Sequence, residues 1–161
     1  MADFLTPSQR SAHMARIRRA DTAPELAVRK LLHHHGYRFR VQQKGVPGRP
    51  DIALPGRQKA IFVHGCFWHA HEGCEDCRVP KTRSDFWLSK FENNRSRDRR
   101  LLAAAEALGW KCLVVWECET RDCRILLQRL RSFLGPSRQP GRDYPKAGIR
   151  RRKANDPKRI P

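Results

Sequence analysis

The spacing of apolar residues predicts two helices before the first strand of the chain. A helix is predicted over residues 6–19, with a proline in its first turn. The next helix begins at Thr22, which has capping-box spacing to Glu25, and it ends at Gly36. Its apolar stripe is formed by Leu26, Leu31 and Leu32.

Three short strands are predicted next. Residues 37–43 alternate apolar and polar side chains, as a half-buried strand does. Pro47-Gly48 has the chemistry of a type II turn. Residues 51–54 and 60–63 are short strands on either side of the Pro55-Gly56 turn, so the three strands form a meander.

The remaining pattern predicts a helix, a strand and a helix. After a loop over residues 64–82, Ser84 caps a helix that reaches Leu108. The run 110–116, which is apolar except for Lys111, is typical of a strand in the middle of a sheet. The last helix covers 120–134, with the apolar positions Ile125, Leu126, Leu130 and Phe133. The fold class is therefore α/β, with a mixed central sheet flanked by helices.

Composition indicates one domain followed by a basic tail. A chain of 161 residues is long enough for a single core. After Gly135 the sequence holds five of the eleven prolines and nine basic residues against two acidic ones. We therefore expect a domain over 1–135 and a flexible tail over 136–161.

The charge of the chain indicates a polyanionic partner. Lysine and arginine number 34 against 16 acidic residues, a net charge of +18, and residues 1–135 alone carry +11. No apolar run approaches the length of a membrane span, and no signal-peptide core is present. We expect a soluble, intracellular protein that binds nucleic acid.

Cysteines and histidines occur together at the spacing of metal ligands. Cys66, His71 and Cys74 lie in one loop, Cys77 follows, and Cys118 comes after the last strand. Soft sulfur and imidazole ligands are those of tetrahedral zinc, and four of them make a structural site. The fourth ligand is Cys77 or Cys118, and we favour Cys118 because it would tie the loop to the sheet.

Asp51 occupies a position typical of nuclease metal sites. Pro50-Asp51 before a short strand, with a second strand following, matches the skeleton of restriction nucleases. The acid-x-lysine signature of that skeleton is absent, and Phe62-Val63-His64 stands in its place. His64 and His69 supply candidate proton-transfer groups at the end of this strand.

Five separate blocks of the sequence resemble the very-short-patch-repair (Vsr) endonucleases, in order, from residue 1 to about 135. They are Asp21–Glu25, Pro47–Asp51, His64–His69, Pro80–Arg83 with Phe86-Trp87, and Val115–Cys118. The resemblance implies a restriction-endonuclease-like fold. It also implies an enzyme that nicks DNA beside the thymine of T:G mismatches, which arise when 5-methylcytosine is deaminated.

The resemblance also implies roles for individual residues. Asp51 would bind magnesium with the backbone carbonyl of Val63, and His69 would transfer a proton with support from His64 and Glu25. The zinc ligands would be Cys66, His71, Cys74 and Cys118. Family spacing after the histidine varies, so Cys77 remains an alternative to Cys74.

The implied partner is double-stranded DNA with a T:G mismatch. The family implies a link to a repair polymerase, to mismatch-repair proteins and to a cytosine-5 DNA methyltransferase. It also implies a cytoplasmic, nucleoid-associated protein of a prokaryote, and we expect a monomer. DNA contacts are assigned to Phe67, Trp68, Trp87, Lys81 and Arg83. The aromatic side chains would be a wedge between base pairs, or else apolar packing around the zinc.

Two other functions fit part of the pattern. A non-catalytic, zinc-stabilised nucleic-acid-binding protein explains the charge and the cysteines, but gives no joint purpose to the candidate catalytic residues. A hydrolase with catalytic zinc would use His64, His69 and His71 as ligands and keep one position open for water.

Overall fold

The computed structural model describes Gln9 and residues 20–137. The predicted helix over 6–19, apart from Gln9, and the tail from residue 138 onward lie outside the described residues.

The described part of the chain is a mixed α/β structure. Its regular elements are α1 (Ala23–His34), β1 (Ile52–Leu54), β2 (Lys59–His64), α2 (Ser84–Ala107), β3 (Lys111–Trp116) and α3 (Cys123–Leu134). Short 3₁₀ helices, Pro55–Arg57 and Glu117–Arg121, follow β1 and β3. None of the described helices is long and apolar enough to span a membrane.

The sheet has the order β1-β2-β3. β1 is antiparallel to β2, with Ile52 opposite Ile61. β3 is parallel to β2, with His64 opposite Trp116, and α2 makes the crossover that a parallel pair needs. The prediction that residues 110–116 lie in the middle of the sheet is wrong for the described residues. β2 has partners on both sides, and only Val115 of β3 is fully buried.

The predicted strand over 37–43 is also absent. This segment makes a single bridge, in which Arg40 and Ala53 exchange two backbone hydrogen bonds of 2.8 Å. Gln42 then takes a left-handed conformation with φ 47°, which breaks the extended backbone. There is therefore no three-strand meander.

The predicted type II turn at Pro47-Gly48 is confirmed. The Arg49 N–H donates to the Val46 carbonyl at 3.0 Å, and Gly48 has φ +76°. A Cβ atom at Gly48 would also lie 2.9 Å from the Phe62 ring, so this glycine is needed for close packing as well.

The core lies between the sheet and the helices α1 and α3. Its fully buried members include Val28, Leu32, Ile52, Ile61, Val115, Leu126 and Leu130. Two residues predicted to face it do not. Leu26 is 37% exposed and Ile125 is 65% exposed, because the buried stripes pass through Val28 and Leu126 instead.

The helix ends depart from the predicted caps. Thr22 makes no side-chain cap, and its hydroxyl donates to the Glu25 carboxylate at 2.8 Å. Arg83, in a left-handed conformation, precedes α2, so Ser84 is its first residue and not its cap. Asp122 caps α3 by accepting the N–H groups of Arg124 and Ile125, so α3 begins at Cys123, three residues after the predicted start.

Candidate active site and metal centre

Asp51 is held at both of its carboxylate oxygens, directly before β1. Oδ2 accepts the N–H of Val63 at 2.7 Å, and Oδ1 accepts the side-chain amide of Gln42 at 3.1 Å. The contact that joins Val63 to Asp51 therefore involves the Val63 amide, and the role of its carbonyl stays a prediction. The register of β1 on β2 brings these two residues together.

The surroundings of Asp51 disfavour its negative charge. Burial raises the pKa of this carboxyl to about 6, although the Val63 N–H opposes the rise. The nearby Glu25 carboxylate raises the pKa further, while Arg29 and Gln42 lower it. A divalent cation at Asp51 would relieve this excess of negative charge.

Glu25 is a buried carboxylate, and each of its oxygens accepts at least one hydrogen bond. It is 4% exposed and accepts hydrogen bonds from the Asp21 N–H and the Arg29 guanidinium, each at 3.0 Å. The same guanidinium also pairs with the Asp21 carboxylate. The capping-box spacing noted in the sequence thus produces a held carboxylate near Asp51.

The two candidate proton-transfer histidines lie against each other. The rings of His64, at the end of β2, and His69, in the following loop, stack with centroids 3.9 Å apart. His69 Nδ1 lies 2.5 Å from the carboxylate of Asp98 on α2. The ligand atoms of all three residues lie within 4.8 Å of one another.

Sequence reasoning missed Asp98. The available signal was a single acidic residue in the basic run 95–100, and only the packing of α2 against the loop shows its purpose. Burial alone would raise the pKa of Asp98, but its hydrogen bond with His69 and the positive charges nearby hold the pKa below its usual range. A carboxylate on Nδ1 fixes the orientation of the imidazole ring, and this contact leaves Nε2 of His69 unoccupied.

His64 is a neutral group at physiological pH. Burial, and then the neighbouring His69, lower its pKa to about 4. It offers an apolar ring face and one acceptor nitrogen beside His69.

Helix α2 also holds the backbone of the loop that carries His69. The Asn94 side chain donates to the Trp68 carbonyl at 2.8 Å, and Arg95 donates to the Ala70 carbonyl at 2.9 Å. With Asp98, these contacts fix three consecutive loop residues from one helix.

A second group brings together the four residues named for zinc. The ligand atoms of Cys66, His71, Cys74 and Cys118 lie within 4.8 Å of one another. His71 Nδ1 is 3.5 Å from the sulfur atoms of both Cys66 and Cys118. The His71 ring stacks on Trp116, with 4.1 Å between centroids and 2° between planes. Three sulfurs and one imidazole are a donor set that suits tetrahedral zinc.

The positions of the ligand atoms distinguish between the alternative metal sites considered from the sequence. Cys77 follows Cys74 in a turn, with its N–H on the Cys74 carbonyl at 3.0 Å, and it is not a member of the four-residue group. His71 belongs to the cysteine group, whereas His64 and His69 belong with Asp98. The three histidines of the catalytic-zinc alternative are therefore divided between two groups.

The aromatic residues form a half-buried patch beside the loop. Phe67 contacts Trp68 and Trp87, each with 5.1 Å between ring centroids, and its third neighbour, Phe91, is buried. The Lys90 ammonium lies 5.4 Å from the Trp87 ring centroid. Phe86 is 48% exposed and lies under the Arg83 guanidinium at 4.8 Å. Lys81 and Arg83 are exposed.

Comparison with known proteins identifies the family. The model of the family "DNA mismatch endonuclease Vsr" matches residues 2–76. The type II nicking enzyme V.XorIIP of Xanthomonas oryzae is 51% identical over 137 residues, covering 85% of this chain and 100% of the relative. The DNA mismatch endonuclease Vsr of Escherichia coli is 46% identical over 121 residues, covering 75% of this chain and 77% of the relative. This chain therefore belongs to the Vsr family of DNA mismatch endonucleases.

Proposed function

We propose that this protein nicks one strand of DNA beside the thymine of a T:G mismatch, with magnesium at Asp51 and a separate structural zinc. The observation that carries the proposal is the junction of β1 and β2. There the Asp51 carboxylate binds the N–H of Val63, the residue directly before His64, in a chain of the Vsr family. The names of two relatives, a nicking enzyme and a mismatch endonuclease, support the same reaction.

The residues around Asp51 suit a hard divalent cation. Each Asp51 oxygen accepts one hydrogen bond in the structure and keeps a lone pair for a metal ion. Asp51 and the Val63 carbonyl would be the protein ligands, with Glu25 adding negative charge nearby. A bound magnesium would supply a charge sink for the phosphorane and an activated water.

The histidines supply proton transfer next to this site. Asp98 holds His69 through Nδ1 and leaves Nε2 to take or give the proton of the reacting oxygen. His64 stacks on His69 and restricts its rotation. Glu25 contributes its charge from nearby, while the Asp21 N–H and Arg29 hold one of its oxygens and the Thr22 hydroxyl holds the other.

The zinc ligands meet because of the sheet register. His64 and Trp116 are opposite each other at the ends of the parallel strands β2 and β3, so Cys66 and Cys118 each lie two residues beyond that pair. A zinc ion bound by Cys66, His71, Cys74 and Cys118 would be saturated with protein ligands. It would pin the loop that carries His69 to the sheet.

The aromatic patch and the basic surface suit mismatched DNA. Half-buried Phe67, Trp68 and Trp87 would form a wedge, and a T:G wobble pair unstacks more cheaply than a Watson-Crick pair. Lys81 and Arg83 would contact phosphates. We assign residues 1–135 to a restriction-endonuclease-like domain and the basic residues of 136–161 to a tail that adds affinity for DNA.

A nicking assay on matched duplexes tests the proposal. Duplexes that differ only in T:G or T:A at one position, labelled on either strand, are incubated with wild-type protein and with Asp51→Ala. We expect one nick in the thymine strand of T:G with wild-type protein and magnesium, and none with Asp51→Ala. Tight T:G binding without any nick would instead support the non-catalytic nucleic-acid binder.

A further inference from the structure

The segment before the type II turn brings a second side chain onto Asp51. The Arg40–Ala53 bridge, with hydrogen bonds of 2.8 Å in both directions, aligns the chain beside β1. Two residues later, the side-chain amide of Gln42 donates to Asp51 Oδ1 at 3.1 Å. Asp51 Oδ2 is already bound by the Val63 N–H, so Gln42 completes the restraint of the carboxylate.

The backbone at Gln42 is strained in the conformation that makes this contact. Gln42 has φ 47°, a left-handed conformation that residues with a Cβ atom seldom take. Such strain costs free energy and persists only where the surrounding structure imposes it. Neighbouring Gln43 places its amide differently, in an exposed hydrogen bond to the Lys44 carbonyl.

We propose that Gln42 is a positioning residue, which orients the Asp51 carboxylate for the divalent cation. The inference rests on the proposed function, because it assumes that Asp51 is the magnesium ligand. With one donor on each oxygen, the carboxylate plane cannot rotate freely, and one lone pair of each oxygen stays available to the cation. Without Gln42, the carboxylate would have to be ordered when magnesium binds, at a cost in affinity.

Two substitutions separate the side chain of Gln42 from its backbone. Gln42→Leu removes the amide and keeps the bulk and the strain. Gln42→Gly removes the amide and relieves the strain, because glycine takes left-handed conformations at no steric cost. Gln43→Leu is the matched control, since it removes a neighbouring amide that does not contact Asp51.

The measurement is calorimetric titration of magnesium into the full-length, zinc-loaded protein, with the melting temperature recorded for each variant. We expect the Kd for magnesium to rise about tenfold in both Gln42 variants, since the Asp51 carboxylate must then be ordered when magnesium binds. Gln43→Leu should keep the wild-type Kd. In single-turnover nicking, the Gln42 variants should need more magnesium for half-maximal rate but approach the wild-type rate at saturation.

Results that differ from these would overturn the inference. If Gln42→Gly binds magnesium as wild type does, Gln42 serves only the turn, whatever Gln42→Leu does. If both Gln42 variants lose rate at saturating magnesium while the Kd is unchanged, Gln42 acts elsewhere in the reaction. Asp51→Ala in the same titration tests the proposed function separately. Normal magnesium binding by Asp51→Ala would refute the metal assignment itself, whereas its loss beside normal Gln42 variants would refute only the role of Gln42.

Discussion

Replacing Asp51 with asparagine should abolish nicking and, in magnesium-free buffer at pH 7, stabilise the folded protein. Asparagine keeps the shape of aspartate and can accept the Val63 N–H, which Asp51 Oδ2 now accepts at 2.7 Å. It removes the charge that burial and Glu25 disfavour. We therefore expect the Asp51 carboxylate to lower the stability of the folded protein while serving cation binding.

The magnitude follows from the pKa of Asp51. Its rise from 3.8 to about 6 is roughly two units, and each unit corresponds to about 1.4 kcal/mol against the ionised form in the folded state. Removing the charge therefore stabilises the folded protein. Part of this stabilisation is lost because the Gln42 amide must turn its oxygen toward the new side chain. We expect a net stabilisation of about 1–2 kcal/mol, or a rise in Tm on the order of 5 °C.

The difference in stability between Asp51→Asn and wild type should change with pH in a defined direction. Between about pH 4 and pH 6 the folded carboxyl keeps its proton while the unfolded one loses it, so wild-type stability falls as pH rises through this window. The advantage of Asp51→Asn should therefore be small near pH 4, grow up to about pH 6 and level off above it. Added magnesium should stabilise wild type and leave the variant unchanged.

Thermal melting of both proteins across this pH range, without and with magnesium, is the assay. Asp85→Asn, at an exposed position in the first turn of α2, is the control and should change stability by less than about 1 kcal/mol. A lower Tm for Asp51→Asn at pH 7 without magnesium, or a difference independent of pH, would refute the electrostatic reasoning.

Further predictions address the zinc group, the buried ion pair and the aromatic patch. Cys118→Ser should lose zinc by metal analysis and melt at lower temperature, whereas Cys112→Ser should keep the metal, and equal zinc contents would remove Cys118 from the ligand set. Arg29→Met leaves the Glu25 carboxylate buried without its cation. Urea unfolding should therefore show a free energy of unfolding about 3 kcal/mol lower than that of wild type. Arg99→Met, whose pair with Glu92 is exposed, should cost less than about 1 kcal/mol, and similar losses would contradict the role of burial. Trp68→Ala should weaken T:G binding roughly tenfold and T:A binding little, with an unchanged salt slope in fluorescence titrations. A lower Tm with equal weakening of both duplexes would mean that Trp68 is core.

Local patterns in the sequence predicted the helices because their boundaries depend on nearby residues. Gly109 follows α2 with φ +84°, and its N–H binds the Glu106 carbonyl, as expected for a glycine just after a helix. The start of α3 was predicted too early because a 3₁₀ turn precedes the Asp122 cap. In a short helix, the apolar pattern does not decide which of two adjacent apolar residues faces the core. For this reason Ile125 was wrongly placed in the core, beside the buried Leu126.

Pairing between distant segments could not be predicted from alternation alone. Residues 37–43 have the polarity of a strand, but the left-handed backbone of Gln42 limits them to one bridge. Asp98 was missed for a similar reason. Its contact with His69 spans 29 positions and depends on how α2 crosses the loop, which no local pattern encodes. The grouping of Cys118 with Cys66 was expected from ligand chemistry, and the parallel register of β2 and β3 supplies the geometry.

The separation of two metal roles is tested most directly by single-turnover nicking with a defined metal content. Full-length protein carrying zinc but no magnesium is mixed with a duplex that holds one T:G mismatch and a label on the thymine strand. We predict one zinc ion per chain, no nick without magnesium, and a single nick beside the thymine once magnesium is added. Nicking at full rate by the zinc-loaded protein without magnesium would contradict the account and place catalysis at a zinc ion.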